Sequence, residues 1–149
     1  MITIYTDGSC HPNPGPGGWA ALILTDQGVR ELHGGKFGTT NNRMELTAAI
    51  EALRSLPDDN GTVEIRTDSQ YLIQGAKHWT SFWRKFAQIT RFGQKPVINA
   101  DLWAELAKLC VKRHVHWTWV QGHAGQKENE RCDELAGIAR AQLTGGMFA

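Results

Sequence analysis

Two acidic residues follow two similar runs of apolar and β-branched residues. Asp7 comes directly after Ile2-Thr3-Ile4-Tyr5-Thr6, and Asp68 comes after residues 62–67. Each run is typical of a short buried strand. If the two strands are parallel neighbours, both carboxylates lie at their carboxyl ends, which is where open α/β sheets bind ligands. Two carboxylates that close repel each other unless a cation or a shared proton lies between them.

Two further acids border the apolar faces of predicted helices. Glu45 lies beside the apolar positions of a helix that begins after residue 42, and Asp133 does the same on the last helix. Each could simply reach solvent, as charged side chains usually do. For Asp7 and Asp68 the structural alternative is turn capping, because Asp commonly accepts hydrogen bonds from nearby backbone N–H groups.

Together the four carboxylates predict a site of hard oxygen ligands. Such a site suits Mg²⁺ or Mn²⁺ better than zinc. Magnesium ions held by carboxylates act typically on phosphates, by activating water and stabilising the leaving oxygen. The chain has neither a Walker loop nor a GxGxxG motif, so nucleotide-cofactor chemistry is disfavoured.

Alternating strands and helices are predicted to position these acids. Residues 19–25 and 29–37 indicate two strands joined as an antiparallel hairpin. Apolar residues at helical spacing predict a helix from about residue 43 to 56, and short helices are expected at 70–75 and 81–87. A helix capped at Asn99, a strand at 114–120 and a last helix at about 128–143 follow. The expected fold is α/β: a mixed five-stranded sheet, an antiparallel meander plus parallel strands, with helices on both faces.

Length and composition narrow the class of protein. The 149 residues are expected to form one domain, residues 1–149, with a frayed tail at about 144–149. The formal charge is only +1. No signal peptide or long apolar run is present, so we expect no membrane contact and a cytoplasmic location. The three cysteines are far apart and are interpreted as reduced thiols.

Four motifs in order resemble the signatures of bacterial type I ribonuclease H. They span the chain from Asp7 to Asp133, and their approximate spacing also matches. The motifs are Tyr5-Thr6-Asp7-Gly8-Ser9, Thr40-Asn41-Asn42-Arg43-Met44-Glu45, Thr67-Asp68-Ser69-Gln70-Tyr71, and Gly122-His123-Ala124-Gly125 followed by Asn129-Glu130-Arg131-Cys132-Asp133.

The resemblance implies a ribonuclease H-like fold and an endonuclease that hydrolyses the RNA strand of RNA–DNA hybrids and leaves 5′-phosphate and 3′-hydroxyl ends. It implies that Asp7, Glu45, Asp68 and Asp133 bind metal, with two Mg²⁺ ions present when substrate is bound and Mn²⁺ as a substitute. His123 matches a mobile histidine thought to help proton transfer or product release.

The resemblance also implies a set of substrate-binding residues. The positions expected near the RNA 2′-hydroxyls are Gly8, Cys10, Asn13, Asn42 and Gln70. Thr40 and Asn41 are expected to hold the DNA strand, although both could serve as plain helix caps.

A basic and aromatic stretch at about 77–95 matches the protrusion with which the family grips the duplex. Lys77, Trp79, Arg84 and Lys85 are its candidate contacts. Residues 86–90 carry no charge where the family has a basic cluster, which leaves hybrid affinity open.

Two alternatives remain beside this interpretation. The same fold serves other nucleases, such as junction resolvases and transposase-like enzymes. A non-catalytic hybrid-binding module is the second, but carboxylates without metal would weaken phosphate binding. We expect a monomer, and the sequence identifies no protein partner such as a single-strand-binding protein.

Overall fold

The computed structural model describes residues 1–59, 61–77 and 98–145. Five strands and four helices are found in these ranges. In chain order they are β1 (Ile2–Cys10), β2 (Gly15–Thr25), β3 (Gly28–Thr39), α1 (Asn41–Arg54), β4 (Thr62–Thr67), α2 (Gln70–Lys77), α3 (Ala100–Cys110), β5 (His114–Trp119) and α4 (Lys127–Leu143).

The strands form one mixed sheet in the order β3-β2-β1-β4-β5. β1, β2 and β3 pair antiparallel, whereas β4 pairs parallel with both β1 and β5. This confirms the predicted fold class. The register between β1 and β4 places Thr6 opposite Thr67. Asp7 and Asp68 follow these two residues, so both lie where the pairing between β1 and β4 ends.

Helices cover both faces of the sheet because successive strand residues point to opposite sides. Ile4 packs on one face in a core that includes Leu46 of α1 and Leu106 of α3. Its neighbour Tyr5 packs on the other face with Cys132 of α4. Burying one large aliphatic side chain contributes roughly 1.5–3 kcal/mol, so the two cores fix α1 and α4 on opposite sides of β1.

Two side chains fix the beginning of α1. Thr40 Oγ1 accepts a hydrogen bond from the Arg43 backbone N–H at 3.1 Å, as an N-cap does. Asn13 Oδ1 accepts one from the Asn41 N–H at 3.1 Å. These bonds satisfy backbone donors that no preceding helical turn can bond, and they set the position of Glu45 one turn further along.

Several element boundaries differ from those predicted. β2 begins at Gly15, four residues before the predicted start, and α2 extends to Lys77. Asn99 caps α3 through a left-handed backbone with φ 61° and makes no side-chain capping bond. Trp103, which was not predicted to face inward, is buried against Gly75.

Two predicted segments cannot be compared with the structure. The expected helix at 81–87 and residues 146–149 of the expected tail lie outside the described residues. Within the described ranges, no helix has both the length and the apolar character needed to cross a membrane.

Candidate active site

Three carboxylates converge at the edge of the sheet where β1 and β4 end. One oxygen from each of Asp7, Glu45 and Asp68 lies within 4.8 Å of the other two. Asp7 lies in β1 directly after the last residue paired with β4, Asp68 directly follows β4, and Glu45 enters from α1. Asp7 is 4% exposed and Glu45 is 8% exposed. The expectation that Glu45 could reach solvent is therefore wrong.

Gly8 allows α1 to approach the end of β1. A Cβ atom at this position would lie 2.6 Å from the Glu45 backbone nitrogen and 2.8 Å from the Met44 carbonyl carbon. The Gly8 N–H also donates to Asp7 Oδ1 at 2.9 Å. A glycine here brings Glu45 beside Asp7 and orients the Asp7 carboxylate.

Burial and mutual repulsion disfavour the ionised forms of these acids. Burial, followed by the charge of Asp68, raises the pKa of Asp7 from 3.8 to about 7. Burial, followed by the charge of Asp7, raises the pKa of Glu45 well above its usual value. Without a cation, burial and repulsion therefore favour the protonated forms of these acids.

The three carboxylates fit a divalent cation. Glu45 Oε2 is buried and has no hydrogen-bond partner within the described part of the chain, and an unsatisfied buried oxygen is costly. A cation between the three side chains would satisfy this oxygen and remove their repulsion. A ligand set made only of carboxylate oxygens suits Mg²⁺ or Mn²⁺.

Neighbouring groups define the environment of Asp68. Burial, followed by the charge of Asp133, raises the pKa of Asp68, whereas His123 and a hydrogen bond from Asn129 act in the opposite direction. A Cβ at Gly122 would lie 2.7 Å from Asp68 Oδ2. The loop after β5 and the first turn of α4 therefore enclose Asp68.

Asp133 and His123 lie at the solvent side of the site. Both are exposed, and Asp133 stands apart from the group of three oxygens that lie within 4.8 Å of one another. His123 has a left-handed backbone with φ 56°, which follows from its place in a tight turn between β5 and α4.

The RNase H family model matches residues 1–141. The chain belongs to the RNase H family. The match includes the acids that the structure brings together and confirms the resemblance found in the sequence.

Bacterial relatives of this family are similar over nearly the whole chain. Ribonuclease H of Hahella chejuensis is 48% identical over 144 residues, covering 97% of this chain and 96% of the relative. Ribonuclease HI of Neisseria meningitidis serogroup B is 49% identical over 143 residues, covering 96% of this chain and 97% of the relative. Ribonuclease H of Methylorubrum extorquens is 49% identical over 96% of this chain, which spans 61% of that relative's length.

Solved RNase H structures share the fold. LC9-RNase H1, a type 1 RNase H with the type 2 active-site motif, has a TM-score of 0.80 and 30% identity, covering 95% of this chain and 72% of that one. LC11-RNase H1, solved in complex with an RNA/DNA hybrid, has a TM-score of 0.72 and 24% identity, covering 97% of this chain and 99% of that one.

The three carboxylates open into a cleft of about 470 Å³. Nine of the site residues predicted from the RNase H resemblance line it. These are Asp7, Gly8, Asn41, Asn42, Glu45, Asp68, Gln70, His123 and Asp133.

Other predicted residues lie beside the cleft or cannot be placed. Cys10 is buried, with its sulfur 3.4 Å from the Thr39 carbonyl oxygen, and Asn13 bonds the start of α1. Lys77 is exposed at the end of α2. Trp79, Arg84 and Lys85 lie outside the described residues.

Four residues at the site were missed in the sequence. Ser9, Ser69 and Tyr71 line the cleft, and Asn129 is 2% exposed beside Asp68. Each lies in one of the four motifs, close in sequence to a predicted acid, and this position could have identified it. Only the fold shows that Asn129 reaches Asp68, because 61 positions separate them in the chain.

Proposed function

We propose that this RNase H-family chain is an endonuclease that hydrolyses the RNA strand of RNA–DNA hybrids and leaves 5′-phosphate and 3′-hydroxyl ends. The observation that carries the proposal is the convergence of Asp7, Glu45 and Asp68 within 4.8 Å in a member of this family. Such a group of acids has no use in a simple binding module, because it repels phosphates when no cation is present.

Asp7, Glu45, Asp68 and Asp133 would hold the metal, with two Mg²⁺ ions when substrate is bound and Mn²⁺ as a substitute. When bound, the ions would lower the pKa of the attacking water and stabilise the charge on the phosphate and the leaving oxygen in an in-line displacement. Asp133 is exposed across the cleft, which suits a ligand that completes its coordination only with substrate.

His123 is the proposed proton-transfer group. It lines the cleft on an exposed turn, and its positive charge lowers the pKa of Asp68, so the imidazole lies near the carboxylates without being one of the three clustered ligands. From this position it can carry a proton to the 3′-oxygen of the leaving RNA or help product leave. His123→Ala should slow the reaction without abolishing it; an unchanged rate would remove His123 from the mechanism.

Selection of RNA requires groups that sense the 2′-hydroxyl. Asn42 and Gln70 line the cleft together with the acids, and both carry an amide that can donate and accept hydrogen bonds. Gly8 and Cys10 would contribute backbone groups, since the Cys10 side chain is buried.

The start of α1 would hold the DNA strand. Thr40 and Asn41 lie there, and Asn13 bonds the Asn41 N–H. Backbone N–H groups and polar side chains at a helix N-terminus favour phosphate. Lys77 with Trp79, Arg84 and Lys85 are the proposed contacts of the basic protrusion at about 77–95.

We also propose a single-domain monomer that acts in the cytoplasm. All four acids come from one chain, so no partner subunit is needed to complete the site. The three cysteines are unpaired, which fits a reducing compartment.

Cleavage of an end-labelled hybrid tests the proposal. We expect cutting of the RNA strand alone in Mg²⁺, loss of cutting in EDTA, and no cutting of duplex RNA or duplex DNA. Folded Asp7→Asn and Asp68→Asn variants should be inactive. If the hybrid is not cut in Mg²⁺ or Mn²⁺, the alternative of a non-catalytic hybrid-binding module is favoured. Cutting of duplex DNA would indicate another nuclease of this fold.

A further inference from the structure

Arg140 is held at the rim of the carboxylate cleft. Its Nη1 donates to Ser9 Oγ at 3.0 Å, and Ser9 lines the cleft. The backbone of α4 is also fixed here, because a Cβ at Gly18 would lie 2.6 Å from the Arg140 nitrogen. Gly18 pairs with Ser9 in the sheet. The guanidinium is therefore held by one hydrogen bond to β1, and the backbone that carries it is packed against β2.

The charge of Arg140 is not balanced by a carboxylate. Within residues 1–59, 61–77 and 98–145, Arg140 forms no ion pair. Five other arginines in these ranges each have an acidic partner within 4.0 Å, whereas Arg30 bonds only Ser55; the five are Arg43, Arg54, Arg66, Arg113 and Arg131. Since one hydroxyl uses only one of the five guanidinium N–H donors, the side chain retains donors for an anion.

The spacing along α4 matches a nucleic-acid backbone. Arg140 lies seven residues after Asp133, which places both on nearly the same helix face, about 10 Å apart along the axis. Nucleotides on one strand advance by roughly 3.4 Å each. An arginine at this distance from the acids can reach a phosphate two or three nucleotides from the bond that is cut.

We propose that Arg140 binds a backbone phosphate of the RNA strand, two or three nucleotides from the scissile phosphate. The inference rests on the proposed function, since it needs the hybrid to cross this cleft. Arginine suits the role because its planar fork can bind phosphate oxygens with two parallel hydrogen bonds. The structural alternative is that Arg140 only ties α4 to β1 through Ser9.

The salt dependence of hybrid binding separates the two possibilities. Binding of labelled hybrid in EDTA is measured at several salt concentrations for wild type, Arg140→Gln and Arg140→Lys. The control is Arg54→Gln, whose exposed side chain pairs with Glu51 and Glu105 on another surface. Losing one phosphate contact should weaken binding about fivefold at low salt and reduce the log–log salt slope by about one. Lysine should retain the slope, KM in Mg²⁺ should rise for the Gln variant, and kcat should change little.

A phosphate scan then locates the contact. Binding of hybrids that carry a single neutral methylphosphonate is measured for wild type and for Arg140→Gln. At one position, two or three nucleotides from the cut, the methylphosphonate should weaken hybrid binding by wild type but not by Arg140→Gln. A salt slope in Arg140→Gln equal to that of wild type, or the same loss in Arg54→Gln, would overturn the inference.

The failures of the two proposals can be told apart. If wild type cuts the hybrid and Arg140→Gln binds it as wild type does, only the role of Arg140 is lost. If wild type neither binds nor cuts the hybrid, the proposed function itself is lost. Equal losses of folding stability in Ser9→Ala and Arg140→Gln, with unchanged salt slopes, would favour the structural tie.

Discussion

Asp7 and Glu45 are held in a state that costs folding free energy unless a cation is present. Both are nearly fully buried. Burial raises the pKa of each carboxyl, the charge of Asp68 raises both further, and the charge of Asp7 also raises the pKa of Glu45. A buried charge is tolerated only where it is paired, protonated or bound to metal. At this residue scale the three carboxylates fit a cation and, without one, disfavour the folded state.

Removal of one of these charges should stabilise the metal-free protein. Asp7→Asn keeps the shape of the side chain and removes a carboxylate whose pKa is raised to about 7. We expect the free energy of unfolding in EDTA near neutral pH to rise by roughly 2 kcal/mol. Urea denaturation measures it, with the exposed turn variant Asp26→Asn as the control. A less stable Asp7→Asn protein would contradict the expected repulsion.

The stability gained by Asp7→Asn should depend on pH. A carboxyl with a folded-state pKa above its unfolded-state value contributes stability that is complete below the unfolded-state pKa and lost as the pH rises through the folded-state pKa. For Asp7 this window runs from 3.8 to about 7.

The difference in unfolding free energy between the variant and wild type in EDTA should therefore grow across that window, by at most about 1.4 kcal/mol per pH unit. Denaturation curves at several pH values measure it. A constant difference would show that the ionisation of Asp7 is not the cause.

At the scale of elements, the contact between β1 and α1 forms the site. Thr40 and Asn13 fix where α1 begins, and Gly8 lets its second turn meet the strand end. The parallel pairing of β1 with β4 then brings Asp7 and Asp68 side by side. The geometry of the acids thus depends on a close backbone approach that a single methyl group would prevent.

Gly8→Ala should open this contact. The added Cβ would lie 2.6 Å from the Glu45 nitrogen, so β1 and α1 must separate at a cost of about 1–3 kcal/mol. We expect at least about a tenfold fall in Mg²⁺-dependent hybrid cleavage, because small displacements of ligands are costly for catalysis.

The matched control is Gly137→Ala in α4, where a Cβ meets nothing within 4 Å. It should be neutral or stabilising by up to about 1 kcal/mol, because alanine favours a helix. Urea denaturation and cleavage rates measure both variants. Equal cleavage rates in the two variants would show that the contact between β1 and α1 does not control activity.

The elements could be predicted from sequence where the periodicity was strong. The mixed sheet with helices on both faces was predicted from two patterns. These are the apolar positions of α1 and α4 and the β-branched runs of β1 and β4. The start of β2 could not be predicted, because prolines and glycines at 12–18 indicate a turn although Gly15 already pairs with Thr39. Trp103 was missed because its burial against Gly75 is a tertiary contact that local spacing does not encode.

At the scale of the whole molecule, the site exists only when the sheet is assembled. The acids that line the cleft are spread from residue 7 to residue 133. Asp7 and Asp68 meet because β1 pairs parallel with β4. The sequence predicted the four acids from strand ends and helix faces, and the family motifs pointed to the same residues. It could not give the burial of Glu45 or the bond from Asn129 to Asp68, since both depend on how α1 and α4 pack on opposite faces of β1.

Metal binding should therefore be linked to folding of the whole molecule. A ligand that binds only the folded state stabilises it by RT ln(1 + [L]/Kd), about 2.7 kcal/mol at one hundred times Kd. We expect Mg²⁺ to raise the midpoint of thermal unfolding of wild type relative to a sodium chloride control of equal ionic strength. Asp7→Asn and Glu45→Gln should lose most of this shift, and Asp26→Asn should keep it. The same shift in Asp7→Asn as in wild type would place the stabilising ion elsewhere on the molecule, because removal of Asp7 disrupts the group of three oxygens that the fold assembles.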